Sequence, residues 1–481
     1  MLFNSGQFLF FFAATYALYL ALGWRRQNYL LLAASYLFYG AWDYRFLGLL
    51  WFATIMDYVV GIRVEREHAR GRPEAAWRWL LLSLAGNLGM LGFFKYFNFF
   101  ADSMQALAAT AGLELSRVTL DIVLPVGLSF YTFQTMSYTI DVYRKRQRAV
   151  TVFPDFALFV AFFPQLLAGP IERAGTLIAQ IQAPRTIGAE DLRQGGWLIL
   201  WGLFKKVYIA DNLAPYVTWA FPLHGADLSW DVYVAIFAFS IQIYCDFSGY
   251  SDMARGLARL MGFSLVRNFN LPFFSSNPSQ FWQRWHISLS NWFRDYVYNP
   301  LLYGYIRHWF TPRWHSLAVI PTMVLVGLWH GAAWKFVAFG GAWGAVLFGH
   351  RALYPALDKL SDRASPTTRT AMQWGGVFLT FHIWLLLLIL FIAVDLAHGW
   401  QLWGKLLSGT GSSVNTARDA LTILFYTVPL IVIEVIQYRR GTEDVLHGCP
   451  YLVRFAVYVL LVVLLLINGA EHQQEFIYFH F

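Results

Sequence analysis

Residues 451–468 read Y-L-V-R-F-A-V-Y-V-L-L-V-V-L-L-L-I-N, a run in which Arg454 is the only charged side chain. A helix that crosses a bilayer needs about 20 mostly apolar residues. Similar runs recur along the chain, near 6–23, 46–62, 77–94, 119–140, 194–211, 315–334, 372–395 and 420–437, with shorter or more polar ones near 28–42, 156–169, 229–245 and 336–350. The sequence therefore predicts an all-α polytopic membrane protein with about a dozen membrane helices.

The composition agrees with this prediction and excludes several functions. Of the 481 residues, 58% are hydrophobic and 13% are charged, against roughly 25% charged residues in soluble domains. Two cysteines, Cys245 and Cys449, are too few for a disulfide framework or a thiolate metal site. We interpret the net charge of +8 as basic loops that set topology, and not as a nucleic-acid interface.

The basic loops predict the orientation of the chain. No positive charge precedes the first apolar segment, so we expect a retained helix, not a cleaved signal peptide, with the amino terminus outside. Alternation from there places three basic segments in the cytoplasm, as the positive-inside rule requires: Arg25-Arg26, Arg63–Arg78 and Arg144–Arg148. Counted back from the carboxyl terminus, the loop 351–371 and Arg439-Arg440 are also expected in the cytoplasm if segments 372–395 and 420–437 form a hairpin. Both termini are therefore predicted to be extracytoplasmic.

This orientation requires at least one of the apolar segments not to cross the membrane. Between the inside cluster 144–148 and the inside loop 351–371 the chain has five candidate segments, yet it must cross an even number of times. We expect the exceptions to be 156–169, which contains Pro164, or 229–245, which runs into the polar stretch Cys245–Asp252. Irregular backbone at membrane depth occurs where protein or a water-filled cavity covers it. We predict re-entrant segments around a central polar cavity, within a single domain spanning 1–481.

The stretch from Ser279 to Leu302 begins S-Q-F-W-Q-R-W-H-I-S-L-S-N-W-F-R-D-Y and has helical periodicity. One face would carry Phe281, Trp282, Trp285, Leu289, Trp292, Phe293 and Tyr296, and the other Gln283, Arg284, Ser288, Ser290, Asn291, Arg294 and Asp295. The pattern predicts one amphipathic helix, with His286 at the border of the two faces. Such a helix lies at the membrane interface or packs into a bundle. A surface anchor with an incidental histidine stays an alternative.

His330 lies in the apolar stretch V-G-L-W-H-G-A-A-W, residues 326–334. Ionisable groups inside membrane segments are costly, and their default interpretation is functional. A neutral imidazole can act as a general base near neutral pH. The small residues Gly331–Ala333 allow another chain segment or a substrate to come close, and Trp329 and Trp334 would form the walls of a pocket. The alternative is a neutral imidazole that is hydrogen-bonded to a neighbouring helix.

Other catalytic motifs are missing from the sequence. It contains no G-x-S-x-G, no H-E-x-x-H, no G-x-x-x-x-G-K-[ST] and no G-x-G-x-x-G. Hydrolase, zinc-protease, P-loop and dinucleotide-binding functions are therefore disfavoured. A buried histidine base without a cofactor signature suits group transfer from a pre-activated donor such as a thioester.

Two segments together resemble the paired-histidine signature of the membrane-bound O-acyltransferase (MBOAT) family. They are Phe281–His286 (F-W-Q-R-W-H), followed by Ser288–Ser290 and Arg294–Tyr296, and Gly327–Ala332 (G-L-W-H-G-A). Further segments resemble its bacterial branch: Leu124–Phe133, Ile140–Arg144, Phe163–Ile171, Phe204–Lys206, Asp246–Ala254 and the closing Phe476–Phe479. The similarity runs almost from end to end and is strongest to the alginate O-acetyltransferases.

The resemblance implies acyl transfer at a histidine inside a funnel or tunnel through the bilayer. His330 matches the catalytic histidine, and His286 matches the second, supporting one. Substrate-binding or supporting roles are expected for Asp295, Arg294, Trp329, Trp285, Asp246 and Asp252. Lys205-Lys206 would meet the donor's phosphates, or would be an interfacial pair with its ammonium groups in water. Where alginate-type sequences continue into Gly-Gly-Asn-Arg, this chain reads Asn299–Arg307, which leaves the polymer open.

The expected activity is transfer of an acetyl group from a cytoplasmic thioester across the bacterial inner membrane, for O-acetylation of an exopolysaccharide such as alginate. No bound cofactor or metal is expected, and the donor would be acetyl-CoA or an acyl carrier. A periplasmic acetyltransferase is the expected partner. Alternatives are peptidoglycan O-acetylation, D-alanyl transfer to teichoic acid, a family member acting on lipid or protein, or a transporter. Paired halves, which a transporter would show, are not visible.

Overall fold

The computed structural model describes residues 1–114, 116, 119–221, 228–308, 316–470 and 474–480. Within these residues every regular element is helical and there is no strand, which confirms the predicted all-α class. The helices of the amino-terminal half are α1 (Gly6–Leu20), α2 (Trp24–Asp43), α3 (Leu47–Ala69), α4 (Pro73–Leu91), α5 (Phe97–Thr110), α6 (Leu128–Tyr143), α7 (Phe153–Ala161), α8 (Phe163–Leu166), α9 (Ala174–Ile181), α10 (Ala189–Leu203) and α11 (Asp211–Trp219).

The second half continues with α12 (Ser229–Leu260), α13 (Pro278–Arg284), α14 (Ile287–Phe293), α15 (Asn299–His308), α16 (Val319–His330), α17 (Trp334–Arg363), α18 (Pro366–Ile392), α19 (Leu396–Leu407), α20 (Thr416–Arg440) and α21 (Tyr451–Asn468). Wider π turns follow α4, α10 and α14, at Gly92–Tyr96, Phe204–Ala210 and Arg294–Tyr298. A short 3₁₀ helix, Ile477–His480, lies near the carboxyl terminus.

Six helical stretches of the described residues are long and apolar enough to cross a membrane: Trp24–Ala69, Pro73–Thr110, Ser229–Leu260, Pro366–Ile392, Thr416–Arg440 and Tyr451–Asn468. Two further apolar helices, Gly6–Leu20 and Ser316–His330, are shorter. The apolar side chains of α21 are mostly exposed, with Leu466 81% and Ile467 72% accessible, as expected for a helix that faces lipid. The protein is a multi-pass membrane protein, and the total of about a dozen crossings stays a prediction.

The predicted interruption near 156–169 is present. Helix α7 ends at Ala161, and Pro164, which has no N–H to donate, lies in the short helix α8. The break leaves the carbonyl of Phe159 without a helical donor, and the side chains of Gln134 and Gln165 donate to it at 2.6 and 2.7 Å. Two buried amides therefore stabilise the broken segment.

The second predicted interruption, at Cys245–Asp252, is wrong. Helix α12 runs unbroken for 32 residues, from Ser229 to Leu260. Its polar stretch stays helical because its side chains bind partners on other elements, as described below for Asp246 and Asp252. Gly249 also brings α12 close to α10, because a Cβ there would lie 2.7 Å from the carbonyl oxygen of Gly202. The polarity of this stretch marks tertiary contacts and not the end of a helix.

The single amphipathic helix predicted from Ser279 to Leu302 is also wrong. The chain forms α13, breaks at Trp285 and His286, and then forms α14, a π turn and α15. Trp285 is extended and His286 adopts a left-handed conformation, with φ 41° and ψ 58°. The predicted apolar side chains from Phe281 to Phe293 are buried, but His286 is fully buried as well. A helix that lies on the membrane surface is therefore excluded, whereas the role of His286 stays a prediction.

The chain divides into two compact units, and both histidines belong to the second. The first comprises Met1–Gly196 and Ala254–Val266, and the second Trp197–Met253 and Arg267–Phe481. In the second unit α16 and α17 pack with almost no space between them. A Cβ on Gly327 would lie 2.1 Å from the carbonyl oxygen of Phe336, and one on Gly340 the same distance from that of Met323. The single domain expected over residues 1–481 stays a prediction.

Candidate active site

His330 is the last residue of α16, at a point where the chain cannot continue as a helix. Gly331 is extended, and α17 begins three residues later at Trp334. A Cβ on Gly331 would lie 2.1 Å from Cε2 of Phe336, so the small residue is required by this ring of the same chain. Trp329 is buried, whereas Trp334 is 57% exposed, so the wall predicted at Trp334 is wrong.

His286 reaches the interior because the backbone turns sharply there. A left-handed conformation at a residue with a Cβ costs on the order of 1–3 kcal/mol and persists where the surroundings impose it. Asn268 supplies that constraint. Its carbonyl oxygen accepts from the N–H of Ile287 at 2.8 Å, and its Oδ1 accepts from the N–H of Ser288 at 3.2 Å. Its Nδ2 donates to Oγ of Ser251 on α12 at 3.2 Å. Asn268 thus caps the first turn of α14 from outside the helix.

The two imidazoles meet around two shared aromatic neighbours. The ring centre of Trp329 lies 5.6 Å from that of His286 and 4.9 Å from that of His330. The ring centre of Tyr478 lies 6.4 Å from His286 and 5.7 Å from His330. Although 44 positions separate the two histidines in the sequence, the fold brings them against the same two aromatic rings.

Further aromatic rings surround this pair. Phe247 of α12 lies 4.6 Å from the ring of His286, and Phe391 of α18 lies 5.2 Å from the ring of His330. His286 is completely inaccessible and His330 is 4% accessible. Walls of this kind keep bulk water away from reacting groups and strengthen polar interactions inside them. The arrangement suits a reaction in which water would compete with the intended acceptor.

Trp285, Arg294 and Asp295, which were also predicted as site residues, have surroundings that differ from those of the two histidines. Trp285 packs into an aromatic cluster with Phe281 and Trp384, at ring-centre distances of 5.6 and 4.5 Å. Arg294 pairs with Asp295, with Nε 2.9 Å from Oδ1. Arg294 also lines a cavity of about 230 Å³ whose walls come from α13, α14, α16 and α17. Trp285 therefore supports the break at His286, whereas Arg294 borders a space beside the helix that carries His330.

The predicted carboxylates Asp246 and Asp252 bind two lysines. Nζ of Lys206 lies 2.6 Å from Oδ1 of Asp246 and 2.9 Å from Oδ1 of Asp211, and Nζ of Lys205 lies 2.5 Å from Oδ2 of Asp252. Both lysines are buried, so they are not an interfacial pair with ammonium groups in water. Their ammonium groups form ion pairs with carboxylates of the same chain, which disfavours the expected contact with the donor's phosphates. Buried charges are tolerated when they are paired in this way.

Sequence reasoning missed Tyr478 as a site residue. The resemblance marks the closing Phe476–Phe479 as typical of the family's bacterial branch, but no helical pattern or spacing connects this segment with the histidines. The structure brings it in through Asp246, whose Oδ2 accepts from the N–H of Ile477 at 2.7 Å, and through Lys206, whose Nζ donates to the carbonyl of Gln474 at 3.0 Å.

Comparison with known protein families agrees with the geometry of the site. The model of MBOAT, the membrane-bound O-acyltransferase family, matches residues 37–393, most of the chain and both histidines. The chain belongs to this family. The resemblance inferred from the two histidine segments is thereby confirmed, and the protein is an acyltransferase. The matched region of the family model ends before the segment that carries Tyr478.

Individual members of the MBOAT family resemble the chain over nearly its whole length. The probable alginate O-acetylase AlgI of Azotobacter vinelandii is 40% identical over 94% of this chain and 87% of its own. The probable alginate O-acetylase AlgI of Pseudomonas putida is 36% identical over the full length of both chains. The peptidoglycan O-acetyltransferase of Helicobacter pylori is 30% identical over 92% of this chain and 86% of its own.

Proposed function

We propose that this protein is a membrane O-acetyltransferase that passes an acetyl group from a cytoplasmic thioester across the inner membrane, for O-acetylation of an exopolysaccharide such as alginate. The observation that carries the proposal is the meeting of His286 and His330 around Trp329 and Tyr478 in a buried aromatic site. The relatives named alginate O-acetylase, at 36–40% identity, support the choice of acyl group and polymer.

In the proposed reaction the neutral imidazole of His330 removes the proton of an acceptor hydroxyl. The hydroxyl oxygen forms a bond to the carbonyl carbon of the thioester, and the carbon–sulfur bond breaks. The thiolate leaves and takes up the proton that His330 holds, so that the products are an ester and a free thiol. A positioned general base of this kind contributes about 10²- to 10⁴-fold to the rate. His286, against the same two rings, orients His330 or the acceptor.

The donor and the partner follow from the direction of transfer. Acetyl-CoA or an acetylated carrier protein on the cytoplasmic side would supply the thioester, which is activated before it reaches the site. The acceptor would be a periplasmic acetyltransferase that passes the group to the polymer. In the predicted topology the basic cluster Arg144–Arg148 lies in the cytoplasm, on the side where the donor would be, and both termini lie outside.

The test measures acetyl transfer in inverted membrane vesicles that contain the protein. In such vesicles the cytoplasmic face of the membrane is on the outside, where the donor can reach it. Labelled acetyl-CoA, an acetylated carrier and a D-alanyl carrier are offered separately, with alginate or peptidoglycan fragments and periplasmic extract inside the vesicles. We expect labelled alginate from an acetyl donor, and about 10²- to 10⁴-fold less of it with His330→Ala. Labelled peptidoglycan would identify the function named for the Helicobacter pylori relative, and transfer of D-alanine alone would contradict the acetyl proposal.

A further inference from the structure

We propose that the buried ion pair Asp246–Lys206 is the anchor that holds the carboxyl-terminal segment 474–478 in the active site, so that Tyr478 lies against both histidines. Asp246 and Lys206 are then positioning residues, because they act on the site through the segment that they hold. The catalytic part of this inference rests on the proposed acyl transfer. The anchoring part concerns only where the segment lies, and can be measured without activity.

The anchor holds the segment through its backbone. Asp246 uses its two oxygens for different partners: Oδ1 faces Nζ of Lys206 at 2.6 Å, and Oδ2 accepts from the N–H of Ile477 at 2.7 Å. Lys206 in turn donates to the carbonyl of Gln474 at 3.0 Å. One charged pair thus binds the segment at two points three residues apart. Hydrogen bonds to charged partners are shorter and stronger than bonds between neutral groups, so both contacts hold the segment firmly.

Aromatic side chains of α12, the helix that carries Asp246, also pack against the segment. The ring centre of Phe247 lies 4.5 Å from that of Tyr478 and 5.6 Å from that of Phe476, and Tyr250, one turn later, lies 5.0 Å from Phe476. Phe247 also contacts His286 at 4.6 Å. The same turn of α12 therefore touches the anchored segment and the supporting histidine, which links the position of the segment to the geometry of the site.

The anchor can be removed by mutation without leaving a buried charge unpaired, because Lys206 has two carboxylate partners. Lys206 is shared by Asp246 and Asp211, whose Oδ1 lies 2.9 Å from Nζ. Asp246→Asn therefore leaves Lys206 paired with Asp211, and no buried cation loses its last carboxylate. The two oxygens of Asp246 face different donors, so an amide in the same place turns its NH₂ group, which cannot accept, toward Lys206 or toward the N–H of Ile477, and one of the two contacts is lost. Ile477→Pro removes the same contact from the other side, because proline has no N–H and is tolerated in the first turn of a helix.

The experiment measures the segment and the reaction separately, on the full-length protein in nanodiscs. In a chain with Cys245→Ala and Cys449→Ser, a spin label at Glu475→Cys, an exposed position, reports the mobility of the segment. We expect Asp246→Asn and Ile477→Pro each to make the label mobile and to lower kcat about 10- to 100-fold, the scale expected when a group near the chemistry is misplaced. The double variant should be no worse than either single one.

Asp231→Asn is the matched control. Asp231 is a buried carboxylate of the same helix, and it accepts hydrogen bonds from Ser413 and Thr416, away from the anchored segment. We expect this variant to leave the label immobile and kcat close to native, even if its thermal stability falls. A general structural role for carboxylates of α12 would instead give the same loss for Asp231→Asn.

The outcomes separate the two proposals. A label that stays immobile in both Asp246→Asn and Ile477→Pro would overturn the anchor, whatever happens to activity. A mobile label with native kcat would overturn the link between the segment and the reaction. Losses that multiply in the double variant would show that Asp246 and Ile477 act separately. If even the unmodified protein transfers no acetyl group, the proposed function fails, and label mobility alone then decides the anchor.

Discussion

The ring of His286 lies 5.6 Å from the ring of Trp329, the residue that immediately precedes His330 in α16. The contact joins a histidine at a break between two short helices to the end of a separate apolar helix. Because Trp329 is buried against both imidazoles, we expect a change at one histidine to affect the other through this shared ring. This expectation is the basis of the second prediction below, on the double variant.

Replacing His330 with alanine should lower acetyl transfer about 10²- to 10⁴-fold, because the proposed general base is lost. The buried imidazole is small enough that expression and thermal stability in detergent should remain measurable. Initial rates with a labelled acetyl donor, normalised to folded protein, check this. Near-native transfer by a well-folded variant would exclude His330 as the base.

The two histidines should behave as one unit. We expect the double variant His286→Ala, His330→Ala to lose little more activity than His330→Ala alone, because effects of residues that act together are not additive. The comparison uses the four rates of a double-mutant cycle. Two independent losses that multiply would mean that His286 serves the fold and not the reaction.

Asn268→Ala should remove the constraint on the backbone at His286. The variant loses the acceptor for the N–H of Ser288 and the donor to Ser251, and an unmet buried polar group costs about 1–3 kcal/mol. We therefore expect a lower melting temperature and an activity close to that of His286→Ala. Asn98→Ala is a suitable comparison, since Asn98 forms its hydrogen bonds within the described residues to the exposed backbone of Leu120. Unchanged transfer by Asn268→Ala would show that other contacts suffice to place His286.

Gly331→Ala should destabilise the turn that follows His330. Its Cβ would lie 2.1 Å from the ring of Phe336, which is itself packed 5.1 Å from Phe391 and cannot retreat. Overpacking of this kind costs about 1–3 kcal/mol. Gly341→Ala in the neighbouring helix is the control, because its Cβ would meet nothing closer than 3.8 Å. Thermal unfolding monitored by size-exclusion chromatography should separate the two, and equal stability would contradict the tight turn.

Reporter fusions should place residues 144–148 in the cytoplasm and both termini outside, as the positive-inside rule predicts. Fusions of alkaline phosphatase, active outside, and a fluorescent protein, active inside, give opposite readouts at each position. A cytoplasmic carboxyl terminus would contradict the even number of crossings between 144–148 and 351–371. Only the break at Pro164 would then indicate a re-entrant segment.

The sequence by itself determined the membrane setting, the helical class and the two histidines. Apolar runs such as 451–468 are sufficient to predict the membrane setting and the helical class. Inside a bilayer no water is present to bond backbone N–H and C=O groups, so a spanning segment must be a helix or part of a closed barrel. His330 was found because an ionisable group is conspicuous within an apolar stretch, and His286 because its surroundings resemble a known signature. The break at Pro164 was also visible, since proline acts locally.

Only the tertiary structure decided how these histidines meet. Asn268 turns His286 inward by accepting hydrogen bonds from the backbone N–H groups of Ile287 and Ser288. The helical periodicity of residues 279–302 gives no sign of these bonds, which interrupt the helix. Helix α12 continues through Asp246 and Asp252 because lysines of another segment neutralise them. Tyr478 enters the site because Asp246 binds the backbone of its neighbour. Each of these arrangements depends on a partner far away in the chain, and a local pattern carries no information about which partner that is.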